Sequence, residues 1–226
     1  MPRTARAVEA GGIYHVLNRG NGRMRIFRKP GDYDAFVKLL LQARERAAPV
    51  DILGFCLMPN HWHLVLCPPS EKDLATFMRW LGTAHVRRHH AHYQSPPGHL
   101  YQGRYKSFPV QTDEHFLTLM RYVEANALRA DLSKRPGEWP WCSDAIRPTK
   151  LGRMLLSDWP IDRPRNWSKL LEETMAEKDL EKLRTSVNRG RPFGSDVWMI
   201  QTADRLGLEF TLRPRGRPKA RSRAIL

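Results

Sequence analysis

The stretch Val50-Asp-Ile-Leu-Gly-Phe-Cys-Leu-Met-Pro-Asn-His-Trp-His-Leu-Val-Leu-Cys67 decides the fold. Two apolar runs flank Pro59-Asn60, a pair that marks tight turns. Residues 50–58 and 61–67 are therefore expected as the two strands of a hairpin. Side chains alternate between the faces of a strand. His61 and His63 then project from one face, and Trp62 from the other, where it packs under a helix. Two neighbouring imidazoles are poor core material and good ligands for one divalent metal. The H-x-H spacing by itself is a weak motif and more often marks a structural or exposed pair.

Working outward, residues 12–18 read as another strand and 19–31 as a loop rich in Gly, Asn and Arg. Asp32 reads as the N-cap of a helix to about Ala47, with Phe36, Leu39, Leu40 and Ala43 at helical spacing. Ser70 is a candidate cap for a second helix over 71–92, marked by Leu74, Phe77, Met78, Leu81 and Val86. After a loop over 93–105, residues 106–111 can form a fourth strand. Thr112 then caps a third helix that reaches about Arg129, with Asp113 and Glu114 placed favourably in its first turn. The order β-α-β-β-α-β plus a helix predicts an α+β fold: a ferredoxin-like four-stranded antiparallel sheet with helices on one face. This unit spans residues 1–130. Beyond Pro136 the prolines and Trp139-Pro140-Trp141 read as a surface-hugging linker. Helices are expected over 167–187 and 195–206, so 131–212 is a linker and helical C-terminal extension. Residues 213–226 form a basic tail that resembles an AT-hook.

Tyr122 and Asn126 are four apart on the third helix and share a face, with Arg129 beside them. The apolar stripe of Phe116, Met120, Val123 and Ala127 lies on a different face. A helix that packs this stripe on the sheet could hold Tyr122 and Asn126 above the histidines. The Asn126 carboxamide oxygen would supply a third, neutral ligand, leaving the cation's charge undiminished for polarising a phosphate. A tyrosine hydroxyl beside such a cation can attack phosphorus and form a phosphotyrosine. The plain alternative is a half-buried structural tyrosine.

The charge points to a polyanionic partner. Lys and Arg number 38 against 23 Asp and Glu, a formal net charge of +15. Between Leu74 and Thr112 there is no acidic residue, while Arg79, Arg87, Arg88, Arg104 and Lys106 are interleaved with histidines and with Tyr93, Tyr101 and Tyr105. Cations that follow phosphates and rings that stack on bases suit single strands. The loop from Arg19 to Lys29, with Asn21, Arg23 and Arg25, is a second candidate surface. In the tail, Arg215 and Arg217 could enter a minor groove. His89-His90 and His92 have no carboxylate or cysteine beside them and read as a solvated helix end. Cys56, Cys67 and Cys142 lack C-x-x-C spacing and read as free thiols of a reducing compartment. With no apolar run of membrane-spanning length and no signal-peptide core at the N-terminus, a cytoplasmic location is expected.

Three stretches carry a family resemblance: Tyr14-His-Val-Leu-Asn-Arg-Gly-Asn21, Leu57-Met-Pro-Asn-His-Trp-His-Leu-Val65, and Arg121-Tyr-Val-Glu-Ala-Asn-Ala-Leu-Arg-Ala130. They resemble the small tyrosine transposases of the HUH superfamily. Asn188-Arg-Gly-Arg-Pro-Phe-Gly-Ser195 and Leu212-Arg-Pro-Arg-Gly-Arg-Pro-Lys219 are similar to the C-terminal segments of REP-associated tyrosine transposases. The resemblance implies His61, His63 and Asn126 as ligands of Mg²⁺ or Mn²⁺ and Tyr122 as nucleophile. It implies cleavage of single-stranded DNA at REP or BIME hairpins through a 5′-phosphotyrosine, leaving a free 3′-OH. It also implies a nucleoid-associated protein that works as a monomer rather than a dimer. The family often has Asn-Pro-Val-Arg-Ala where this chain has Asn126-Ala-Leu-Arg-Ala130, a change confined to the helix ending. Two other readings stay open: a hairpin-binding protein that no longer cuts, and an RNA-binding module, although the aromatic run usual in such RNA-binding sheets is absent.

Overall fold

A computed structural model describes residues 8–94 and 98–213. The hairpin forms as the sequence predicts: β2 (Asp51–Met58) and β3 (His61–Cys67) pair antiparallel across Pro59-Asn60. The strand β1 (Ile13–Arg19) pairs antiparallel with β3 on one side and with β4 (Lys106–Val110) on the other. The sheet order is β2-β3-β1-β4, so the two strands that carry histidines are the two central ones.

Each face of the sheet has its own apolar layer. Helices α1 (Pro30–Arg46) and α2 (Asp73–Tyr93) cover one face, where Tyr14, Val16, Leu64 and Trp62 pack against Phe36, Leu40, Phe77 and Leu81. This is the ferredoxin-like arrangement, and Trp62 sits under the helices as its parity requires. The opposite face carries Ile13, Cys56, Val65, Phe108 and Val110, covered by α3 (Glu114–Glu124) through Phe116, Leu119, Met120 and Val123.

The helix ends differ in detail from the sequence reading. Pro30, which has no N–H to satisfy, occupies the first turn of α1. Asp32 therefore lies at the third helical position and its carboxylate accepts from the N–H groups of Arg28 and Lys29. The side chain of Asp113, not Thr112, caps α3 by accepting from the N–H of His115. The expected single helix to Arg129 is interrupted at Ala125 (φ −82°, ψ 2°), after which a short turn, α4 (Asn126–Arg129), resumes. The Tyr122 carbonyl at this break accepts from the Arg129 guanidinium at 2.8 Å.

Residues beyond 130 include the helices of the C-terminal extension. They form α5 (Ser143–Ile146), α6 (Lys150–Leu155), α7 (Trp167–Glu172), α8 (Glu177–Arg189) and α9 (Asp196–Arg205). The region expected as one helix over 167–187 is two, because Met175 between them turns into the core. Trp167, Leu171, Met175, Leu183 and Phe193 join the apolar layer around α3. Glu124, buried at the end of α3, accepts from the Ser143 hydroxyl at 2.5 Å and the Trp167 indole N–H at 2.7 Å, tying α3 to this extension. Phe193 also pairs with the outer edge of β4, donating to the Pro109 carbonyl and accepting from Gln111 N–H, each at 2.9 Å. Arg215 and Arg217 lie outside the described residues. Among the described residues no helix is long and apolar enough to cross a membrane.

Candidate active site

The turn of the hairpin is a junction of hydrogen bonds. The Pro59 carbonyl accepts from the N–H groups of Ile26 and Phe27, and the Asn60 carbonyl from that of Gly20. These bonds fasten the basic loop after β1 against the hairpin. A Cβ at Gly20 would sit 2.3 Å from the Met24 carbonyl oxygen, so the tight loop needs glycine there. The Asn60 amide donates to the Arg23 carbonyl at 3.2 Å, which assigns its two ends. Its oxygen therefore faces His61 Nδ1 at 2.6 Å. A carboxamide oxygen can only accept, so His61 carries its proton on Nδ1 and keeps a lone pair on Nε2.

His61 and His63 lie on the face of the sheet covered by α3, with ring centroids 5.0 Å apart. His63 is buried and its Nδ1 lies 2.9 Å from Nε2 of His15 on β1. Burial, assisted by the nearby Arg19 guanidinium, pushes His61 down to about 4. Burial holds His63 well below the ordinary imidazole value, and His15 at about 3. All three rings are neutral near pH 7, the state in which imidazole binds a metal.

Tyr122 reaches this group from α3. Its ring stands perpendicular to those of His63 and His15, with centroid separations of 5.7 and 6.4 Å. The Arg129 guanidinium lies 4.5 Å above the Tyr122 ring and donates to the Asn126 carboxamide oxygen at 3.0 Å. The Asn126 amide nitrogen is buried without a partner among the described residues. Two neutral imidazoles and a carboxamide oxygen suit a divalent cation whose other positions are filled by water or phosphate oxygens. By donor type these residues are compatible with Mg²⁺ or Mn²⁺. A separate group, Asp113, Glu114 and His115, has ligand atoms within 4.8 Å of one another. There Asp113 is engaged in capping α3, at the end of the helix away from Tyr122.

The basic residues do not share one surface. Arg19 lies beside His61 in the β1–β3 register, on the histidine face. Asn21, Arg23 and Arg25 are exposed on the loop fastened to the hairpin turn. Arg79, Arg87 and Arg104 line a groove of roughly 800 Å³ with Asn18, Met78 and Tyr105, on the helix-covered side. Arg88 instead lines a cleft against α1 with Asp34 and Lys38, and Lys106 a groove with Asn188 and Arg189. The expectation that Tyr93 and Tyr101 stack on bases is corrected. Tyr101 is buried, accepting from the Trp62 indole at 3.0 Å and lying 2.5 Å from His85 Nδ1. The Tyr93 hydroxyl donates to Asp32 at 2.5 Å, and the Arg28 guanidinium covers its ring. Both rings serve the packing of α2 on its neighbours.

A family model described as "Transposase IS200 like" matches residues 10–126, just over half of the chain. The chain belongs to this transposase family. Among solved structures, a REP-associated tyrosine transposase bound to a REP hairpin is similar in fold, with a TM-score of 0.52 at 16% sequence identity. The match covers 78% of this chain and 100% of that one. A structure from Deinococcus radiodurans R1 described as a candidate transposase aligns over 53% of this chain and 93% of its own, at 18% identity and a TM-score of 0.40. No curated protein matches the chain. The IS200-like match spans the whole sheet, α1, α2, α3 and the start of α4, from before His15 to Asn126.

Three residues at or near this candidate site escape the sequence reading. Asn60 reads there only as a turn former, although its place directly before His61 is a usable signal. His15 reads as part of an ordinary strand; its odd parity with Ile13 and Leu17 is visible, but its pairing with His63 depends on strand register. Glu124 carries no local signal that marks it as buried.

Proposed function

We propose that this IS200-like transposase is a metal-dependent endonuclease and strand transferase for single-stranded DNA, of the REP-associated type. The observation that carries the reading is the convergence of neutral His61 and His63 with the Tyr122 ring on one face of the sheet. His61, His63 and Asn126 would hold Mg²⁺ or Mn²⁺. With two nitrogen donors, Mn²⁺ is the tighter binder of the two. The bound cation would supply Lewis-acid polarisation of the scissile phosphate.

Tyr122 is the nucleophile. Its oxygen forms a bond to phosphorus, the bond from phosphorus to the 3′ oxygen breaks, and the phenolic proton is balanced by the one the departing 3′-OH takes up. The products are a 5′-phosphotyrosine and a free 3′-OH. Arg129, stacked on the Tyr122 ring and bonded to Asn126, holds both side chains and lends positive charge to the developing phosphorane. Arg19 and the loop with Asn21, Arg23 and Arg25 stand next to His61 and would follow the strand being cut. Arg79, Arg87 and Arg104 would hold the hairpin on the other side of the sheet, with Arg88 and Lys106 at its margins and the tail residues Arg215 and Arg217 on flanking duplex. Residues 1–130 carry the chemistry, 131–212 brace α3, and 213–226 add nonspecific affinity. Phe193 already occupies the outer edge of β4, which favours a monomer over a dimer built by joining sheets. Action on REP hairpins would place the protein in the cytoplasm, at the nucleoid.

The test is to incubate the full chain with labelled single-stranded and duplex REP hairpins, with Mn²⁺, with Mg²⁺ or with chelator. A covalent adduct is expected with single strands and metal, and its loss in Tyr122→Phe. An adduct that persists in Tyr122→Phe moves the nucleophile elsewhere, and no adduct on any hairpin leaves a binding protein that does not cut.

A further inference from the structure

His15 sits at the centre of β1 with no solvent exposure. Its ring lies parallel to that of His63, 6° apart in plane with centroids 5.0 Å apart, and Phe108 and Tyr122 meet it edge-on. Its hydrogen-bonding partner among the described residues is His63, through Nε2, while Nδ1 is buried without one. A buried imidazole with an orphaned nitrogen is a costly way to fill a core position, since a leucine or phenylalanine would leave no polar atom unpaired.

The contact with His63 accounts for that cost. A neutral imidazole has one N–H and one lone pair. At 2.9 Å one ring must donate to the other. If His15 donates, His63 carries its proton on Nε2 and has no free lone pair. If His63 donates, its proton is held on Nδ1 and Nε2 is left bare. The second arrangement repeats what Asn60 does to His61. We infer that His15 is a positioning residue, accepting the His63 Nδ1 proton so that His63 presents an unprotonated Nε2 to the cation. This inference rests on the reading of His61 and His63 as ligands. Supporting groups of this kind fix the tautomer and ring orientation of a ligand, and their loss weakens metal affinity by about 10- to 100-fold.

The test uses the full chain with ¹⁵N-labelled histidine. A long-range ¹H–¹⁵N spectrum of the metal-free protein, assigned against His63→Gln, reports which nitrogen of His63 bears the proton. The expected result is a protonated Nδ1 and a bare Nε2. His15→Phe keeps the aromatic bulk and removes the acceptor. It is expected to let His63 sample both tautomers and to raise the Mn²⁺ Kd, measured by EPR titration, about 10- to 100-fold. His15→Gln, whose carboxamide oxygen can accept in place of Nε2, is expected to restore the Kd. A His63 proton on Nε2 in the wild type overturns the inference, as does an unchanged Mn²⁺ Kd in folded His15→Phe. If His15→Phe fails to fold, the wild-type spectrum and the Gln variant decide. A wild type that binds no Mn²⁺ sinks the metal-site reading instead, and the spectrum still judges His15.

Discussion

Asn60 joins the basic loop, the hairpin turn and His61 through both ends of one carboxamide and its own carbonyl. Replacing it with alanine removes the acceptor for His61 Nδ1 and leaves the fold's apolar layers untouched. Asn60→Ala should weaken Mn²⁺ binding about 10- to 100-fold with a modest loss of stability. Isothermal titration beside a thermal melt checks this, and an unchanged affinity would mean that His61 is oriented by other groups. At this scale the sequence displays the ligand pair, because period-two alternation is a local property. The partners behind the ligands are not displayed. Asn60 doubles as a turn residue, and His15 meets His63 only after strands 48 positions apart come into register.

The element that places Tyr122 is α3, whose Met120 side chain packs over Gly54 of β2. A Cβ on Gly54 would lie 2.3 Å from the Met120 methyl and 3.1 Å from the Ser143 hydroxyl, so any side chain there must displace the end of Met120. Gly54→Val should lift α3, cost about 1–3 kcal/mol by overpacking, and slow adduct formation at least about tenfold through misplacement of Tyr122. Adding Met120→Ala should recover much of both. Adduct rates and melts of the single and double variants test the idea, and a Gly54→Val protein with wild-type rate would sink it. The amphipathic stripe of α3 is legible in the sequence, as is its pairing with the sheet. The interruption at Ala125 is not, since it coincides with a side chain, Arg129, reaching back to the Tyr122 carbonyl.

Across the whole molecule, burying neutral histidines couples stability to pH. His85 lies between the helices and the sheet against Phe27 and Phe36, and burial holds it at about 3. Its Nδ1 accepts from Tyr101, whose oxygen in turn accepts from Trp62. In the unfolded chain the same ring titrates near its ordinary value of about 6.5. Its folded value is lower, so its contribution is complete above about 6.5 and is lost as pH falls toward 3. Urea unfolding between about pH 6 and 4 should show stability declining with falling pH. His85→Phe should flatten that slope by about 1.4 kcal/mol per pH unit, the value of one proton. An identical slope in the variant would place the proton uptake on other groups. The same burial defeats the sequence-level reading of the Leu74–Thr112 window as one DNA surface. Composition counts its cations and rings but does not separate those that face outward from those that pack inward.

The sequence by itself determines the α+β order, the hairpin with its two same-face histidines, the amphipathic third helix with Tyr122 and Asn126, and the strongly basic character. All of these depend on neighbours within a few residues, where period, turn chemistry and charge act directly. Tertiary structure alone decides which strands lie side by side, and with that the pairing of His15 with His63. It also decides which basic residues share a groove, and that Glu124 ties α3 to the C-terminal extension. Those outcomes depend on contacts between distant segments, set by register and close packing rather than by any local pattern.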